Sequence, residues 1–418
     1  MNNTKYLNLA LAVRRSLLCV PLCIIALGDF PAFGQGQGGF LYVANFASNN
    51  ISGYSVSSST GALIPILGSP FLSAGGPVAI AVDPSSQFAY VANQTGNVSA
   101  YTVDSATGAL IAVPRSPFAT GFSPSAVTVD PSGQFVYVVN MFSNDISAFT
   151  IDTATGALTQ VPGSPFPAGT QPREIAIDPL NQFVYVVNQG SNNISAYVIA
   201  STGALAPIVG SPFAAGGLLP RSLAVDPGGQ FVYVANAGSS SVSGFTIGTK
   251  GELKAIPGSP FAVVSGAFSV GLDPSGQFLY SAGGPNNASS TSTWIIKRTG
   301  ALSSVCGSPF RLDSALGATS LTVHASGQFV YVTNSRSNDV SAYAINGTNG
   351  ALAPVPGSPF PAGSNPLAVT TTAVVPFPGL FVQGANGPAV SPNNTVNTFG
   401  RNDAVPRAGL LDRKVCGN

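Results

Sequence analysis

Two arginines and one glutamate are the side chains of this sequence best suited to chemistry on a ligand. Arg173 is followed directly by Glu174, and Arg221 belongs to the next repeat of the chain. Arginine presents a planar fork of donors that matches a carboxylate or phosphate, and it can stabilise the oxyanion of an attacked ester-like carbonyl. A glutamate can activate water when burial raises its pKa. We therefore predict Arg173, Glu174 and Arg221 as catalytic residues; the alternative is that Arg173 and Glu174 form a solvated pair on a loop.

A repeated turn motif shows where these residues stand in the chain. Short apolar segments end in an Asp-Pro pair, and the position five residues before the aspartate varies between segments. The residues at this position, in chain order and including two segments without the aspartate, are Val78, Ser125, Arg173, Arg221, Phe268, Thr319 and Leu367. The two arginines therefore occupy equivalent positions in adjacent repeats, and Glu174 adjoins one of them.

The repeat itself predicts the fold. Seven Tyr-Val-x-Asn-like segments recur along the chain, and their anchoring tyrosines are Tyr42, Tyr90, Tyr137, Tyr185, Tyr233, Tyr280 and Tyr331. A period of about 40 to 50 residues, filled by short strands and turns, is typical of a β-propeller. We therefore predict an all-β fold, a seven-bladed β-propeller of four-stranded antiparallel blades.

Each repeat is predicted to contain four strands joined by two recurring turns. In one repeat the strands are predicted at 174–178, 183–188, 194–199 and 205–213. Asp-Pro turns, such as the one that begins at Asp130, fit a type I turn between the first and second strands. Thr-Gly-Ala-Leu turns, such as the one that begins at Thr155, join the third strand to the fourth. The turn aspartates are accordingly predicted to be structural.

The order of the strands predicts how the ring closes and which face carries the site. The chain enters the repeats on a second strand at 40–45, and it ends on a first strand at 366–370. The last strand should then complete the first blade and leave no long sheet edge exposed. The first strands begin at the mouth of the central channel, opposite the Asp-Pro turns, so the predicted catalytic residues should lie there among irregular loops.

Further polar residues on this face are candidates for ligand contacts. Asparagine ends the second strand in most repeats, and Asn140, Asn188, Asn236 and Arg336 are predicted as substrate-binding residues. A repeated asparagine at a strand end also satisfies loop backbone groups, which is the alternative interpretation.

The sequence predicts neither a metal nor a cofactor. The one histidine, His324, replaces a turn aspartate and so should lie on the face opposite the arginines. Zinc-type or haem-type spacings of Cys and His and phosphate-cradling Gly loops are not found. Charged residues make up 7% of the chain, with 16 basic and 15 acidic groups, and this balance does not favour nucleic acid as a partner.

The two ends of the chain are predicted to lie outside the propeller. Residues 1–34 resemble an export signal, with Lys5, Arg14 and Arg15 before an apolar stretch at 17–27 that is too short to span a membrane comfortably. We expect residues 35–375 to form the propeller and residues 376–418 to form a loosely ordered tail. Cys306 and Cys416 either pair or remain two separate thiols. The expected product is an exported monomer, periplasmic, extracellular or at the cell surface, with no membrane span after signal removal.

The repeated segments resemble the YVTN-repeat and lactonase families of seven-bladed propellers, and in pattern the 6-phosphogluconolactonase-like proteins. The resemblance rests on segments such as 177–179, 183–188 and 194–197, and it covers about residues 39–372. It implies hydrolysis of a sugar-derived lactone without a metal, through arginine and acidic residues around the channel. The expected partner is a small-molecule lactone or carbohydrate-derived ligand. The alternative is a non-catalytic exported propeller that binds a polymer, peptide or partner protein on the channel face.

Overall fold

The described residues form seven β-sheets that are joined into a ring. The computed structural model describes residues 37–263, 266–284 and 288–372, which contain no helix and therefore none that could cross a membrane. The predicted all-β, seven-bladed propeller is confirmed. The predicted leader (1–34), the tail (376–418) and Cys416 lie outside the described residues. Cys306 is disulfide-bonded.

Blades are numbered from the N-terminus, and each has a first, second, third and fourth strand. The first strands of blades 1 to 7 are Pro366–Thr371, Pro77–Val82, Pro124–Val129, Pro172–Ile177, Pro220–Val225, Ser269–Leu272 and Ala318–Val323. The second strands are Gln37–Asn45, Phe88–Asn93, Phe135–Asn140, Phe183–Asn188, Phe231–Asn236, Phe278–Gly283 and Phe329–Asn334. The third strands are Asn50–Ser57, Asn97–Val103, Asp145–Ile151, Asn193–Ile199, Ser241–Ile247, Ala288–Ile296 and Asp339–Ile345.

The fourth strand is interrupted in every blade, where the sequence predicted a continuous one. Its first pieces are Leu63–Pro65, Leu110–Ala112, Leu158–Gln160, Leu205–Pro207, Leu253–Ala255, Leu302–Ser304 and Leu352–Pro354. Its second pieces are Phe71–Leu72, Phe118–Ala119, Phe166–Pro167, Phe213–Ala214, Phe261–Ala262, Phe310–Leu316 and Phe360–Pro361. Both pieces pair with the third strand of the same blade. In the gap of blade 4, the Ala196 amide donates to Ser211 Oγ at 2.9 Å. The serine side chain thus replaces a missing backbone acceptor.

The C-terminal strand closes the ring, as predicted. Leu41 of the second strand of blade 1 lies opposite Thr371, and Val43 lies opposite Val369, in an antiparallel pairing. The Phe40 amide also donates to Thr372 Oγ1 at 2.9 Å. Pairing the two ends of the described chain removes the sheet edge that an open ring would expose.

The core consists of apolar layers between adjacent blades. The second strands of blades 2 to 7 are buried at all six positions. Between blades 3 and 4, for example, Tyr137 and Val139 pack with Val184 and Val186. Side chains that point to either face of a second strand therefore enter a dry layer, which explains runs that are apolar at every position.

Six of the seven anchoring tyrosines form a hydrogen bond to the next blade. Tyr137 Oη donates to the carbonyl oxygen of Gly203, in the Thr-Gly-Ala-Leu turn of blade 4, at 3.0 Å. The same bond joins Tyr42 to Gly108, Tyr90 to Gly156, Tyr185 to Gly251, Tyr233 to Gly300 and Tyr331 to Gly61. Gly203 has a φ of +82°, and a Cβ there would lie 2.4 Å from the ring of Phe135. Only glycine satisfies both constraints.

The turn aspartates are structural, as predicted. The Asp130 carboxylate accepts bonds from the Gln134 and Phe135 amides, both at 2.7 Å. His324 takes this place in blade 7, where its Nε2 donates to the carbonyl of Gly38 at 2.6 Å. Burial lowers the pKa of His324, and its neutral ring fits this hydrogen bond.

Tyr137→Phe should lower the free energy of unfolding by about 1 to 2 kcal/mol, because it removes one interblade hydrogen bond. Tyr280→Phe is the matched control, since the Tyr280 hydroxyl is buried without a hydrogen-bond partner. That change should be neutral or stabilising. Urea unfolding of both variants measures the difference, and equal destabilisation by the two would show that the hydroxyl bond does not hold the blades together.

Candidate functional site

The first strands of all seven blades line one cavity of about 210 Å³, called here the axial cavity. Each blade contributes its residue from the variable position found in the sequence: Val78, Ser125, Arg173, Arg221, Phe268, Thr319 and Leu367. A cavity that receives the equivalent residue from every blade lies on the axis of the ring. The predicted catalytic residues Arg173, Glu174 and Arg221 therefore line the same space.

These three residues are the ionisable groups among the described residues that line the axial cavity. Arg173 and Glu174 lie on the first strand of blade 4, and Arg221 lies on the first strand of blade 5. All three are partly buried, so Arg173 and Glu174 are not a solvated pair on a loop. Within the described ranges, no group of three His, Cys, Asp or Glu residues is placed to hold a metal ion.

Glu174 is held in an environment that favours its protonated form. Burial raises its pKa to about 7, while the hydrogen bond from the Ile175 amide and the charge of Arg173 act in the opposite direction. The amide of Ile175 lies 3.2 Å from Glu174 Oε1. A carboxyl group with this pKa can exchange a proton with water near neutral pH.

The two arginines are positioned by soft apolar partners. Arg173 Nη1 donates to the sulfur of Met141 at 3.7 Å, and the guanidinium carbon of Arg221 lies 4.9 Å from the centre of the Phe268 ring. Burial lowers the pKa of Arg173, an effect that Glu174 opposes. Burial and the charge of Arg173 lower the pKa of Arg221 to about 10. Arginine side chains keep their proton at neutral pH, and the effect of Arg173 on Arg221 shows that the two cations are close enough to affect each other.

The wall opposite the arginines is mostly apolar. In a seven-membered ring, the junction of blades 4 and 5 faces blade 1, which contributes Phe46, Leu367 and Ala368 to the lining, together with one polar residue, Asn365. Hydroxyl groups and the amide of Gln94 are further polar groups of the lining. Some hydroxyls already bind backbone: Ser125 Oγ donates to the Pro172 carbonyl at 3.0 Å. The axial cavity thus has a cationic wall and an apolar wall.

The asparagines predicted to bind substrate lie elsewhere. Asn140, Asn188 and Asn236 have no exposed surface, and they are not among the residues that line the axial cavity. Their Nδ2 atoms donate to third-strand serines at 2.8 to 2.9 Å, namely Ser147, Ser195 and Ser243. Arg336 is exposed on the loop after the second strand of blade 7, also outside the lining. This geometry corrects the expectation that these four residues face a ligand in the cavity.

Three lining residues that sequence analysis missed occupy one repeated position. Phe46, Gln94 and Met141 each follow the last residue of a second strand, in blades 1, 2 and 3, and each lines the axial cavity. The residues at this position in the other blades are Gln189, Ala237, Gly284 and Ser335. Comparing the repeats at this position would have identified a second variable ring.

Comparison with known proteins supports the same architecture. The family model described as lactonase, 7-bladed beta-propeller, matches residues 35–121 and 111–214. No curated protein matches the chain. A solved structure of a putative 6-phosphogluconolactonase from Bacteroides uniformis is similar, with a TM-score of 0.70 and 17% identity over 80% of this chain and 99% of that one.

A second solved structure is similar to the same extent. The periplasmic gluconolactonase of Pseudomonas aeruginosa has a TM-score of 0.67 and 18% identity, over 81% of this chain and 99% of that one. At these identities the likeness shows the fold.

Glu174→Gln should stabilise the protein at pH 8 relative to the native chain, and should have little effect at pH 5. Because the folded pKa of about 7 lies above the usual value, the native protein loses stability as pH rises from about 4.5 to 7. Since one pKa unit corresponds to about 1.4 kcal/mol, the gain in the free energy of unfolding should be about 1 to 3 kcal/mol. Urea unfolding of both proteins across this pH range tests it; a difference that does not change with pH would mean that Glu174 is not buried as described.

Proposed function

We propose that this chain, a seven-bladed β-propeller of the lactonase type, hydrolyses a small lactone in its axial cavity. The observation that supports the proposal is the convergence of two guanidinium groups and one carboxyl group of raised pKa, from adjacent blades, on one axial space. The names of the similar solved structures, which include gluconolactonases, point to a sugar-derived lactone as the first substrate class to test.

The arginines would bind the lactone carbonyl and the charge that develops on it. The carbonyl oxygen gains negative charge when the carbon is attacked, and cationic donors aimed at that position lower the barrier. Arg173 and Arg221 stand side by side on the cationic wall, while the apolar wall of Phe46 and Leu367 can pack against the ring carbons. This orientation would direct the carbonyl oxygen toward blades 4 and 5.

Glu174 would act on the water and then on the leaving oxygen. In its ionised form it takes a proton from a water molecule, whose oxygen forms a bond to the carbonyl carbon. The tetrahedral intermediate then collapses, and the ring bond between the carbonyl carbon and the ring oxygen breaks. The proton on Glu174 passes to the ring oxygen, which gives an open-chain hydroxy acid and restores the carboxylate.

Arg221→Ala and Arg173→Ala should each lower kcat/KM for lactone hydrolysis on the order of a hundredfold, the usual loss when an oxyanion donor is removed. Arg298→Ala provides the matched control, because Arg298 is an exposed arginine in the turn between the third and fourth strands of blade 6. Its activity should equal that of the native chain. Turnover of δ-gluconolactone and γ-butyrolactone at pH 8, corrected for spontaneous hydrolysis, provides the measurement.

A folded native protein without turnover above buffer would contradict the hydrolase proposal. That result would favour the alternative, a propeller that binds a ligand or partner on the channel face without converting it.

We propose in addition that the protein acts outside the cytoplasm. The basic and apolar pattern of residues 1–34 supports export, and the disulfide at Cys306 suits an oxidising compartment. We expect the protein recovered from the periplasm, cell surface or medium to begin near Gln35, as measured by N-terminal sequencing of cell fractions. Full-length protein that begins at Met1 in the cytosol would be evidence against export.

A further inference from the structure

Two exposed phenylalanines lie together on the face that carries the axial cavity. Phe122 and Phe142 are 67% and 54% exposed. Their ring centroids are 5.9 Å apart, and the rings are tilted by 36°. We call this pair the aromatic lip. Adjacent exposed aromatic rings form an apolar surface of the kind that binds other apolar groups.

The aromatic lip is continuous with the axial cavity. Ser123 and Met141 line the cavity, and the Met141 amide donates to the Ser123 carbonyl at 2.8 Å. Phe142 and Phe122 adjoin these two residues in the chain, and the Phe142 amide donates to the Phe122 carbonyl at 3.2 Å. The lip is therefore one residue away from the lining, and Met141, which joins the two, is also the partner of Arg173.

Among the described residues, an aromatic pair at this position occurs in blade 3 alone; the equivalent pair in blade 5, for example, is Leu218 and Gly238. At the equivalent pair in blade 4 the residues are Thr170 and Gly190, joined by the same amide-to-carbonyl bond. The repeat therefore does not require aromatic residues at this position. Blade 3 carries them beside the blade that contains Arg173 and Glu174.

The volume of the axial cavity limits what it can enclose. About 210 Å³ is below the range of roughly 300 to 1,000 Å³ that encloses a drug-sized ligand. A small ring or carboxylate head fits inside, but a larger substituent has to leave the cavity. A substituent that leaves over blade 3 contacts Phe122 and Phe142.

We propose that the ligand of the axial cavity is amphipathic, with an ester or carboxylate head between Arg173 and Arg221 and an aromatic arm on the aromatic lip. This inference rests on the proposed function for its chemistry, and it specifies the substrate class as lactones that carry an aromatic substituent. The aromatic lip thus determines specificity by binding the aromatic substituent, while the axial cavity binds the ester or carboxylate group.

Calorimetric titration of the full chain with 3-phenylpropionate and with propionate tests the inference without requiring turnover. The native protein should bind 3-phenylpropionate about tenfold or more tightly than propionate, since the phenyl group buries apolar surface on the lip. Phe122→Ala and Phe142→Ala should each reduce this preference several-fold and leave propionate affinity unchanged. Arg221→Ala should weaken both ligands.

Leu180→Ala provides the matched control, because Leu180 is 70% exposed in the Asp-Pro turn of blade 4, on the opposite face. It should change neither affinity. A phenyl preference that survives in both phenylalanine variants would overturn the inference, as would failure of both carboxylates to bind. A dimer of the native chain that either phenylalanine variant dissociates, seen by analytical ultracentrifugation, would assign the lip to a second copy and overturn it too.

The two proposals fail in different ways. A phenyl preference without hydrolysis of any lactone would contradict the hydrolase and keep the amphipathic ligand. Hydrolysis with equal kcat/KM for γ-butyrolactone and its γ-phenyl derivative would keep the hydrolase and contradict the aromatic arm.

Discussion

The hydrogen bond from six of the seven anchoring tyrosines to a glycine carbonyl of the next blade is the contact on which the ring depends. Tyr137 reaches Gly203 at 3.0 Å through a layer that is otherwise apolar. An apolar layer is not directional and would allow neighbouring blades to slide. The hydroxyl bond, together with a glycine whose missing Cβ accommodates Phe135, fixes one relative position. Because this contact is repeated around the ring, the first strands of the blades lie at the same height along the ring axis.

Because the first strands lie at the same height, their equivalent residues meet at the axis, and a site can form from a repeated sequence. A residue that differs between blades at the variable position lies in the lining of the axial cavity. At the axis it meets the equivalent residues of the other blades, so Arg173 and Arg221 face Leu367 although these side chains are far apart in the sequence. The repeats provide the scaffold, and the differences between repeats provide the chemistry.

The sequence predicts the ring, its closure and the axial position of the arginines, because all three follow from period, strand order and alignment of the repeats. It does not predict the break in the fourth strand. There the hydroxyl of Ser211 replaces a backbone acceptor for the Ala196 amide, which is 15 residues away in the chain. The sequence also misplaces Asn140, whose amide is used inside the blade. The contacts of Arg173 with Met141 and of Arg221 with Phe268 join different blades, and no local pattern reveals which side chains meet across such a boundary.

The regular pattern weakens in the blade next to the arginine pair. In blade 6 the hydroxyl of Tyr280 and the indole nitrogen of Trp294 are buried without partners, and the first strand is shortened to Ser269–Leu272. Phe268 precedes this strand and lies against Arg221. In the part of the chain that the structure describes, blade 6 has more buried polar atoms without hydrogen-bond partners than either neighbouring blade, and such atoms cost stability. Departures from local rules are expected where a scaffold serves a site, and this departure adjoins the guanidinium that the proposed hydrolysis requires.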